Sequence, residues 1–477
     1  MISKFQRMIW ILCFVATIVS SVFSPAPAFC ETLRFVFMAD SRGGSLDEPV
    51  NTPVLNAIIS QIKALSPQPA FVVFGGDMSY RGCIQGSYTF QNWKDIFAPL
   101  TSAGIPLYTA IGNHELYAHG CGQSNEGFFL VNQQQYQNVF TENPGNGPPG
   151  YERLVYSFTS PKGDAFFAVL DPYYLTADNS NPSLCGTIDS TQFAWLETQV
   201  SQTRATHKFL FIHPPYYYVT GTNPADPSES SCTPDTTFTN LWAFLDNNQF
   251  DVYACGHQHL YSRKTIDSSI LPNPQTSPNP TPPWQNNVVQ LLNGTCGAGV
   301  DTTTPSVNSA LWHISQAANT YYFSVVDIND SQVKIASYSG DTGVYQVFDT
   351  DIAAVLANGR SQSIDITDKT PLSVTGVLEP ESLSGQNADW WVVADTPWGI
   401  CSLTPSGWSP GVNMLVQYPL LKIGPAEVFN GYLPAGDYTF YLAVDMSPDG
   451  ILDEPLYYDG VQVHVTSDTS EHGNRVY

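Results

Sequence analysis

The feature that most constrains the fold is a short apolar run that ends in two glycines and an aspartate. Residues 71–74 (FVVF) are β-branched or aromatic, which predicts a buried β-strand. Gly75 and Gly76 permit a tight turn, so that Asp77 follows at the carboxyl end of the strand, where open α/β sheets bind ligands. Tyr80 offers a second hard oxygen ligand. This stretch therefore predicts a metal site at the edge of an α/β sheet.

The same pattern recurs along the chain. Residues 33–39, 106–111 and 251–255 are also predicted strands, and polar residues come directly after each of them. Together with a strand that ends at His213, these segments place six further residues at strand ends: Asp40, Asn113, His114, His213, His257 and His259. Any one of them alone is more often a turn residue or a structural histidine, but the ordered set indicates a metal centre.

The last two histidines of this set are separated by one residue. We predict extended backbone for His257 and His259, which would direct both side chains to the same side.

Length, composition and charge limit the class of protein. A chain of 477 residues, 43% of them apolar, can bury a large core and is expected to form at least two domains. The balance of 18 basic and 42 acidic residues gives a net charge of -24, which argues against nucleic acid as a tight partner. Bound metal ions would offset part of this charge locally.

The chain changes character near its three-quarter point. Residues 31–350 alternate predicted strands and helices, which indicates an α/β domain. Residues 361–467 contain short β-rich segments between Gly/Pro turns and no helical period, which predicts a β-sandwich. Residues 468–477 are predicted to be a disordered tail.

Residues 1–28 have the pattern of a secretory signal. Lys4 and Arg7 precede an apolar run at 8–23, and Ala26-Pro27-Ala28 offers small residues for cleavage. The prediction is a secreted, periplasmic or extracellular protein with no membrane association after cleavage. A retained membrane anchor is the alternative.

The sequence contains nine cysteines. In an oxidising compartment, Cys83 and Cys121 are the first pair that we expect to form a disulfide, because each comes after a predicted metal-site loop. Cys255 and Cys296 either form a second pair or remain buried thiols.

Taken together, the motifs resemble those of the calcineurin-like metallophosphoesterase superfamily over residues 34–348. The matching motifs are Asp40-Ser41-Arg42, the GGD that ends at Asp77, GNHE at 112–115, His213, and GHQH at 256–259. The resemblance implies a four-layer sandwich, in which two β-sheets are flanked by helices.

Within the superfamily, the sequence is most similar to purple acid phosphatases. Tyr80 in GDMSY and the stretch GHQHLYSR at 256–263 carry this likeness. Arg42 departs from it, because most of the superfamily has histidine at this position and the purple acid phosphatases have glycine.

The resemblance implies two metal ions bridged by Asp77. The first ion would be held by Asp40, Asp77, Tyr80 and His259. The second ion would be held by Asp77, Asn113, His213 and His257. Two aspartates and a phenolate suit ferric iron, whereas an amide and two imidazoles suit divalent iron, zinc or manganese.

The implied reaction is hydrolysis of a small-molecule phosphate ester by a metal-activated water or hydroxide. His114 would lie near the leaving oxygen and protonate it or bind the phosphate. Arg42 would contact a phosphate oxygen, although a salt bridge to a surface carboxylate is an equal alternative. We interpret Glu115 as structural.

Three functions remain open at this point. The first is a phosphomonoesterase of the purple acid phosphatase type. The second is a phosphodiesterase or nucleotidase of the same superfamily. The third is a surface-binding protein whose metal centre is structural and whose β-sandwich binds the partner.

The predicted sandwich contains a candidate calcium loop. Asp445, Ser447, Asp449 and Asp453 match ligand positions of such a loop, but Leu456 stands where a bidentate carboxylate is required. A weak calcium site and an acidic turn are therefore both open.

Four tryptophans of the predicted sandwich allow two interpretations. Trp390, Trp391, Trp398 and Trp408 form either an exposed aromatic surface for an unidentified partner or part of the core.

Overall fold

The computed structural model describes residues 33–468, except for a set of gaps. These gaps are 46, 81–89, 119–126, 129, 176–185, 218–235, 267–285, 301–312, 316–319, 330–331, 341–344, 351–352, 362, 381–382 and 454–455. The predicted signal at 1–28, the tail beyond 468 and the pair Cys83 and Cys121 lie outside the described residues.

The chain divides into two compact units, one of which spans Thr32–Thr350. Its described helices are α1 (Thr52–Ala64), α2 (Phe90–Ile96), α3 (Ala98–Thr101), α4 (Asn113–Leu116), α5 (Leu130–Val139), α6 (Ser190–Gln202) and α7 (Thr236–Asn247). Its first described strands are β1 (Leu33–Met38), β2 (Phe71–Phe74), β3 (Leu107–Thr109), β4 (Tyr117–Ala118), β5 (Gly127–Phe128), β6 (Tyr156–Thr159), β7 (Ala165–Val169) and β8 (His207–Phe211). The remaining strands are β9 (Val252–Cys255), β10 (Tyr261–Ile266), β11 (Val288–Asn293), β12 (His313–Ser315), β13 (Tyr321–Ile328), β14 (Val333–Gly340) and β15 (Tyr345–Thr350).

Two large sheets organise this unit. The first has the order β15-β14-β13-β1-β2-β3, and the second has the order β12-β10-β11-β9-β8-β7-β6. Strands β1, β2 and β3 pair in parallel, and so do β7, β8, β9 and β11. Parallel strands bring their carboxyl ends to one edge of each sheet, so the residues just beyond these strands are brought together.

Aromatic side chains fill the space between the two sheets. Phe35 and Phe71 of the first sheet stack at a centroid distance of 5.2 Å, and the ring of Phe209 from the second sheet meets Phe35 edge-on at 5.3 Å. Such rings bury large apolar areas and favour these geometries. These rings belong to the hydrophobic core between the two sheets.

Helices cover the outer face of each sheet. Leu55 and Ile58 of α1 pack in one cluster with Val72, and Leu196 of α6 packs in another with Leu210. The apolar positions of α1 recur at helical spacing, which gives this helix one buried face. The unit therefore has four layers, and the predicted fold class is confirmed.

The second unit contains Asp351 and the residues after it. Its strands are β16 (Ala353–Ala357), β17 (Ile364–Thr367), β18 (Leu372–Leu378), β19 (Asn387–Asp395), β20 (Cys401–Thr404), β21 (Gly407–Pro410), β22 (Val416–Pro419), β23 (Ile423–Gly431), β24 (Gly436–Asp445) and β25 (Leu456–Thr466). One sheet has the order β16-β18-β23, and the other has the order β17-β25-β24-β19-β20-β21 with β22 beside β19. Strand β16 lies before residue 361, where the sequence predicted the sandwich to begin.

The core of the second unit joins residues of both its sheets, including Val374 and Phe440. The four tryptophans divide between core and surface. Trp390 and Trp391 are buried, whereas Trp398 is 71% exposed and Trp408 is 36% exposed. Of the two interpretations, the core is therefore correct for Trp390 and Trp391, and the aromatic surface is wrong for them.

None of the helices among the described residues combines the length and the apolar character needed to cross a lipid bilayer.

Candidate metal centre

Three residues at strand ends adopt left-handed backbone geometry. The φ angles are +61° at Asp40, +56° at Asp77 and +73° at His257, and all three residues are buried. Such angles are unfavourable for residues with a Cβ and concentrate at functional sites. The prediction of extended backbone at His257 is wrong, because its φ angle of +73° lies in the left-handed region.

Two groups of buried side chains bring ligand atoms together. One consists of Asp77, His213 and His257, and the other of Asp40, Asp77 and His259. Within each group, the atoms that could bind a metal ion lie within 4.8 Å of one another. Asp77 is common to both groups.

His213 shows that the site suits a cation. Its Nδ1 atom donates a hydrogen bond to the Gly75 carbonyl at 2.8 Å. Its Nε2 atom is buried without a hydrogen-bond partner and lies 3.3 Å from Oδ1 of Asp77. A lone pair that faces a carboxylate in a buried site requires a proton or a cation between them. The imidazole is therefore held in the orientation of a metal ligand.

Asn113 and Tyr80 lie beside these groups. Asn113 is buried, and its Oδ1 atom is 3.2 Å from Nδ1 of His257. Tyr80 is half-buried, and its ring centroid is 6.3 Å from that of His114. The structure thus places Asn113 against His257, while Tyr80 as a ligand stays a prediction.

The glycines of the motifs are required by close approach. A Cβ atom on Gly112 would lie 2.3 Å from Oδ1 of Asp77, and one on Gly256 would lie 2.2 Å from Oδ2 of Asp40. Both distances are far below van der Waals contact. The absence of a side chain at these two positions allows the loops to close around the aspartates.

His114 contacts Asp77 through its backbone and approaches it with its ring. The backbone N–H donates to Oδ1 of Asp77 at 3.0 Å, and Nδ1 donates to the Tyr80 carbonyl at 2.5 Å. The Nε2 atom lies 3.8 Å from Oδ2 of Asp77. The ring is consequently fixed with Nε2 directed toward the shared aspartate.

Arg42 lies at the site. Its Nε atom donates a hydrogen bond to Nε2 of His259 at 3.3 Å, and its side chain is half-buried. His259 in turn has Nε2 3.6 Å from Oδ1 of Asp40. The guanidinium thus adds a positive charge next to the group of Asp40, Asp77 and His259.

Burial and neighbouring charges shift the pKa values of the site. Burial and the charge of Asp77 raise the pKa of Asp40 well above its usual range. Burial opposes ionisation of Asp77, but the imidazoles of His213 and His114 outweigh it and hold the pKa of Asp77 well below its usual range. Burial and Arg42 lower the pKa of His259, which keeps its imidazole neutral, as metal binding requires.

The sequence indicated a Gly-rich turn around Cys296 but not that this turn supports Asp40. The N–H of Cys296 donates to the Ala39 carbonyl and that of Ala298 to the Asp40 carbonyl, both at 2.9 Å. This turn is part of NGTCGAG, and its high glycine content was the only signal in the sequence. Cys255 and Cys296 both carry free, buried thiols, so the structure favours the second alternative for this pair.

The candidate calcium loop uses its carboxylates to hold its own backbone. Asp445 accepts hydrogen bonds from the N–H groups of Ser447 at 2.7 Å and Asp453 at 2.8 Å. Asp449 accepts one from the N–H of Ile451 at 2.9 Å. These contacts are those of an acidic turn, and a calcium ion at this loop stays a prediction.

Comparison with known families agrees with this geometry. Residues 33–261 match the model of the calcineurin-like phosphoesterase family. The matched segment contains both ligand groups, and the predicted resemblance to this superfamily is confirmed. The family and the two groups together imply two metal ions.

Relatives and similar structures were also found. An uncharacterised protein of Mycobacterium tuberculosis is 23% identical over 250 residues, which cover 50% of this chain and 44% of the relative. The chain thus matches less than half the length of this relative. A purple acid phosphatase from yellow lupin (Lupinus luteus) seeds is 16% identical, with 69% of this chain and 54% of that chain covered and a TM-score of 0.45. PhoD is 13% identical, with 68% and 73% covered and a TM-score of 0.44.

Proposed function

We propose that this protein is a binuclear metal-dependent phosphoesterase that hydrolyses small-molecule phosphate monoesters, in the manner of purple acid phosphatases. The observation that carries the proposal is the position of Asp77. Its carboxylate belongs to both ligand groups, which is the arrangement needed to hold two cations close together. The matched family supports the reaction class.

Each ion would be held by one group together with one oxygen ligand that the resemblance predicts. The first site would consist of Asp40, Asp77, His259 and Tyr80. The second site would consist of Asp77, His213, His257 and Asn113. When bound, the ions would supply Lewis-acid chemistry at the phosphoryl group and acidify the attacking water.

His114 is proposed to protonate the leaving oxygen. Its Nδ1 proton is donated to the Tyr80 carbonyl, so a second proton at Nε2 makes the ring an imidazolium. The nearby carboxylate of Asp77 stabilises that charge. The ring can therefore deliver a proton from Nε2 without changing its orientation.

Arg42 is proposed to bind a phosphate oxygen. Its guanidinium is fixed beside His259 and carries a permanent positive charge. Planar donors of this kind bind phosphate oxygens strongly.

The identity of the two metal ions is part of the proposal. The group with two aspartates and Tyr80 suits ferric iron, and the group with two imidazoles suits divalent iron, zinc or manganese. If Tyr80 binds ferric iron, the purified protein is purple and Tyr80→Phe removes the colour. A fully loaded, oxidised protein that is colourless would exclude Tyr80 as a ligand.

The cellular location is also proposed. The basic and apolar pattern of residues 1–28 supports export, so that the protein would act outside the cytoplasm. Detection of the mature protein in the medium or periplasm, with an N-terminus near residue 29, tests this.

The decisive experiment measures release of phosphate from an aryl phosphate. We expect turnover by the purified protein, its loss after chelation and its recovery when metal is returned. Asp77→Asn should abolish turnover, whereas Asp327→Asn, which alters an ion pair with Arg34 outside the site, should not. Turnover that survives both chelation and Asp77→Asn would contradict the proposal, and aryl diesters tested in parallel would reveal a phosphodiesterase.

A further inference from the structure

The side chain of Glu115 connects the two loops that form the centre of the site. Glu115 is completely buried and comes directly after His114 in the GNHE motif. Its Oε2 atom accepts hydrogen bonds from the N–H groups of Asp77 at 2.8 Å and Gly112 at 2.7 Å. Its Oε1 atom accepts one from the N–H of Met78 at 2.7 Å. One side chain therefore satisfies three backbone donors on two different loops.

These contacts act on the residue that both ligand groups share. Asp77 has a φ angle of +56°, which is unfavourable for a residue with a Cβ. The hydrogen bonds from the N–H groups of Asp77 and Met78 hold the backbone on both sides of that angle. A change at Glu115 would release this constraint and allow the Asp77 carboxylate to move.

A carboxylate suits this position better than an amide. Three N–H groups converge on the two oxygens, and an ionised carboxylate offers acceptors only. A glutamine at this position could keep its oxygen toward Asp77 and Gly112, but its NH₂ group would then face the N–H of Met78. At least one buried donor would lose its partner, which is costly in a buried site.

We propose that Glu115 is a positioning residue for the metal centre: it holds the shared Asp77 carboxylate, through the backbone, in the place where two cations bind. This inference rests on the proposed function. It assigns to Glu115 a role beyond the stability of its own loop, because two of its hydrogen bonds come from the loop that carries Asp77.

The experiment titrates metal-free protein with Zn²⁺ by calorimetry. Wild-type protein should bind two ions per chain. Glu115→Gln should remain folded by circular dichroism and bind Zn²⁺ about 10- to 100-fold more weakly, the range typical for partners that orient metal ligands. Because Asp77 is shared, we expect both binding steps to weaken.

Asp171→Asn is the matched control. Asp171 is also a fully buried carboxyl beyond the end of a parallel strand, and its Oδ1 accepts a hydrogen bond from the N–H of Tyr173 at 2.8 Å. This substitution alters a buried acid without altering a contact with Asp77, so Zn²⁺ affinity should equal that of the wild type.

Hydrogen exchange gives a second measurement that does not depend on activity. In metal-free Glu115→Gln, peptides that cover residues 71–80 should exchange faster than in wild type, while peptides from the second unit should not change. If Glu115→Gln does not fold, Glu115→Asp keeps the carboxyl group on a shorter side chain and should also bind Zn²⁺ more weakly.

The outcomes separate the two proposals. Two ions in wild-type protein and equal Zn²⁺ affinity in the folded Glu115 variant would overturn the role of Glu115 and leave the proposed function intact. Fewer than two ions in wild-type protein would overturn the proposed metal centre and this inference together.

Discussion

Strand β8 has a buried histidine at each of its ends, and the two have different environments. His207 begins the strand: its Nδ1 lies 3.1 Å from Oδ1 of Asp251, and its Nε2 lies 3.1 Å from the Asn329 carbonyl. His213 lies just beyond the other end, and it uses Nδ1 on the Gly75 carbonyl but leaves Nε2 without a hydrogen-bond partner.

The difference shows how to distinguish a structural histidine from a ligand. Both partners of His207 are hydrogen-bond acceptors, so a doubly protonated ring satisfies both and the interaction is complete within the protein. His213 is oriented by one nitrogen, and the other faces the carboxylate of Asp77. A histidine whose two nitrogens are both hydrogen-bonded contributes to stability. A histidine that is held by one nitrogen, while the other faces a carboxylate, is suited to bind a cation.

Among the substitutions that test this difference between the two histidines, we expect the largest effect at His213. His213→Gln removes an imidazole ligand and should lower the affinity for Zn²⁺ by more than about 100-fold, since the loss of an outer partner alone costs 10- to 100-fold. Turnover of an aryl phosphate should fall below detection. Calorimetric titration measures the affinity, and unchanged affinity would mean that His213 is not a ligand.

A second test separates the proposed proton donor from the ligands. His114→Asn should reduce kcat by about 10²- to 10⁴-fold, because the leaving oxygen loses its acid catalyst. The number of bound metal ions should not change. An aryl ester whose alcohol is a good leaving group should be affected less, and an equal loss for good and poor leaving groups would contradict this role.

At the opposite end of β8, a substitution of His207 should change the stability of the protein and not its activity. His207→Gln leaves the buried Asp251 carboxylate without its charged partner and should lower the free energy of unfolding by about 1–3 kcal/mol. Turnover per folded molecule should equal that of the wild type. Denaturant unfolding measures the free energy, and turnover corrected by active-site titration measures the activity per folded molecule. A loss of turnover at equal folding would contradict a purely structural role for His207.

The smallest effect concerns pH. Burial lowers the pKa of His207, but Asp251, the Asn329 carbonyl and the charge of Asp164 together raise it above its ordinary value of 6.5. Its contribution to stability should therefore be complete below pH 6.5 and be lost as the pH rises through the higher pKa of the folded state. The backbone N–H of Lys208 also donates a hydrogen bond to Asp251, the carboxylate that raises the pKa of His207.

This dependence can be measured as a difference between two proteins. The free energy of unfolding of wild type minus that of His207→Gln, measured on metal-free protein, should decrease from acidic to alkaline pH. A difference that stays constant or grows with pH would show that His207 is neutral in the folded protein.

Much of the site could be predicted from the order of motifs along the chain. Parallel strands place the residues just beyond them at a common edge of their sheet, so an apolar run followed by a polar residue was sufficient to predict that Asp40 and Asp77 lie close together. The motif order of the resembled superfamily added His213 from the other sheet. The boundaries of the second unit were less predictable. Strand β16 looks like any short apolar segment, and only its pairing with β18 assigns it to the sandwich.

The burial and the hydrogen-bond partners of individual side chains were harder to predict from the sequence. Trp390 and Trp398 lie eight residues apart in the same β-rich segment, yet one is 5% exposed and the other is 71% exposed. Trp390 lies in β19, whereas Trp398 lies in the turn between β19 and β20. Whether a strand residue such as Trp390 is buried depends on which face of the folded sheet is covered. The acceptor role of Glu115 was equally hidden, since its three donors lie on loops whose approach is set by the fold.

The sequence by itself determined the fold class, the family resemblance and the residue types that face the site, because strand patterns and close-packed glycines act locally. Only the tertiary structure decided that His257 adopts left-handed geometry, that Glu115 accepts hydrogen bonds from two loops and that His213 keeps one nitrogen free of protein hydrogen bonds. The reason is physical: hydrogen-bond partners and ligand distances are set by contacts between segments far apart in the chain, and such contacts exist only once the sheets have formed.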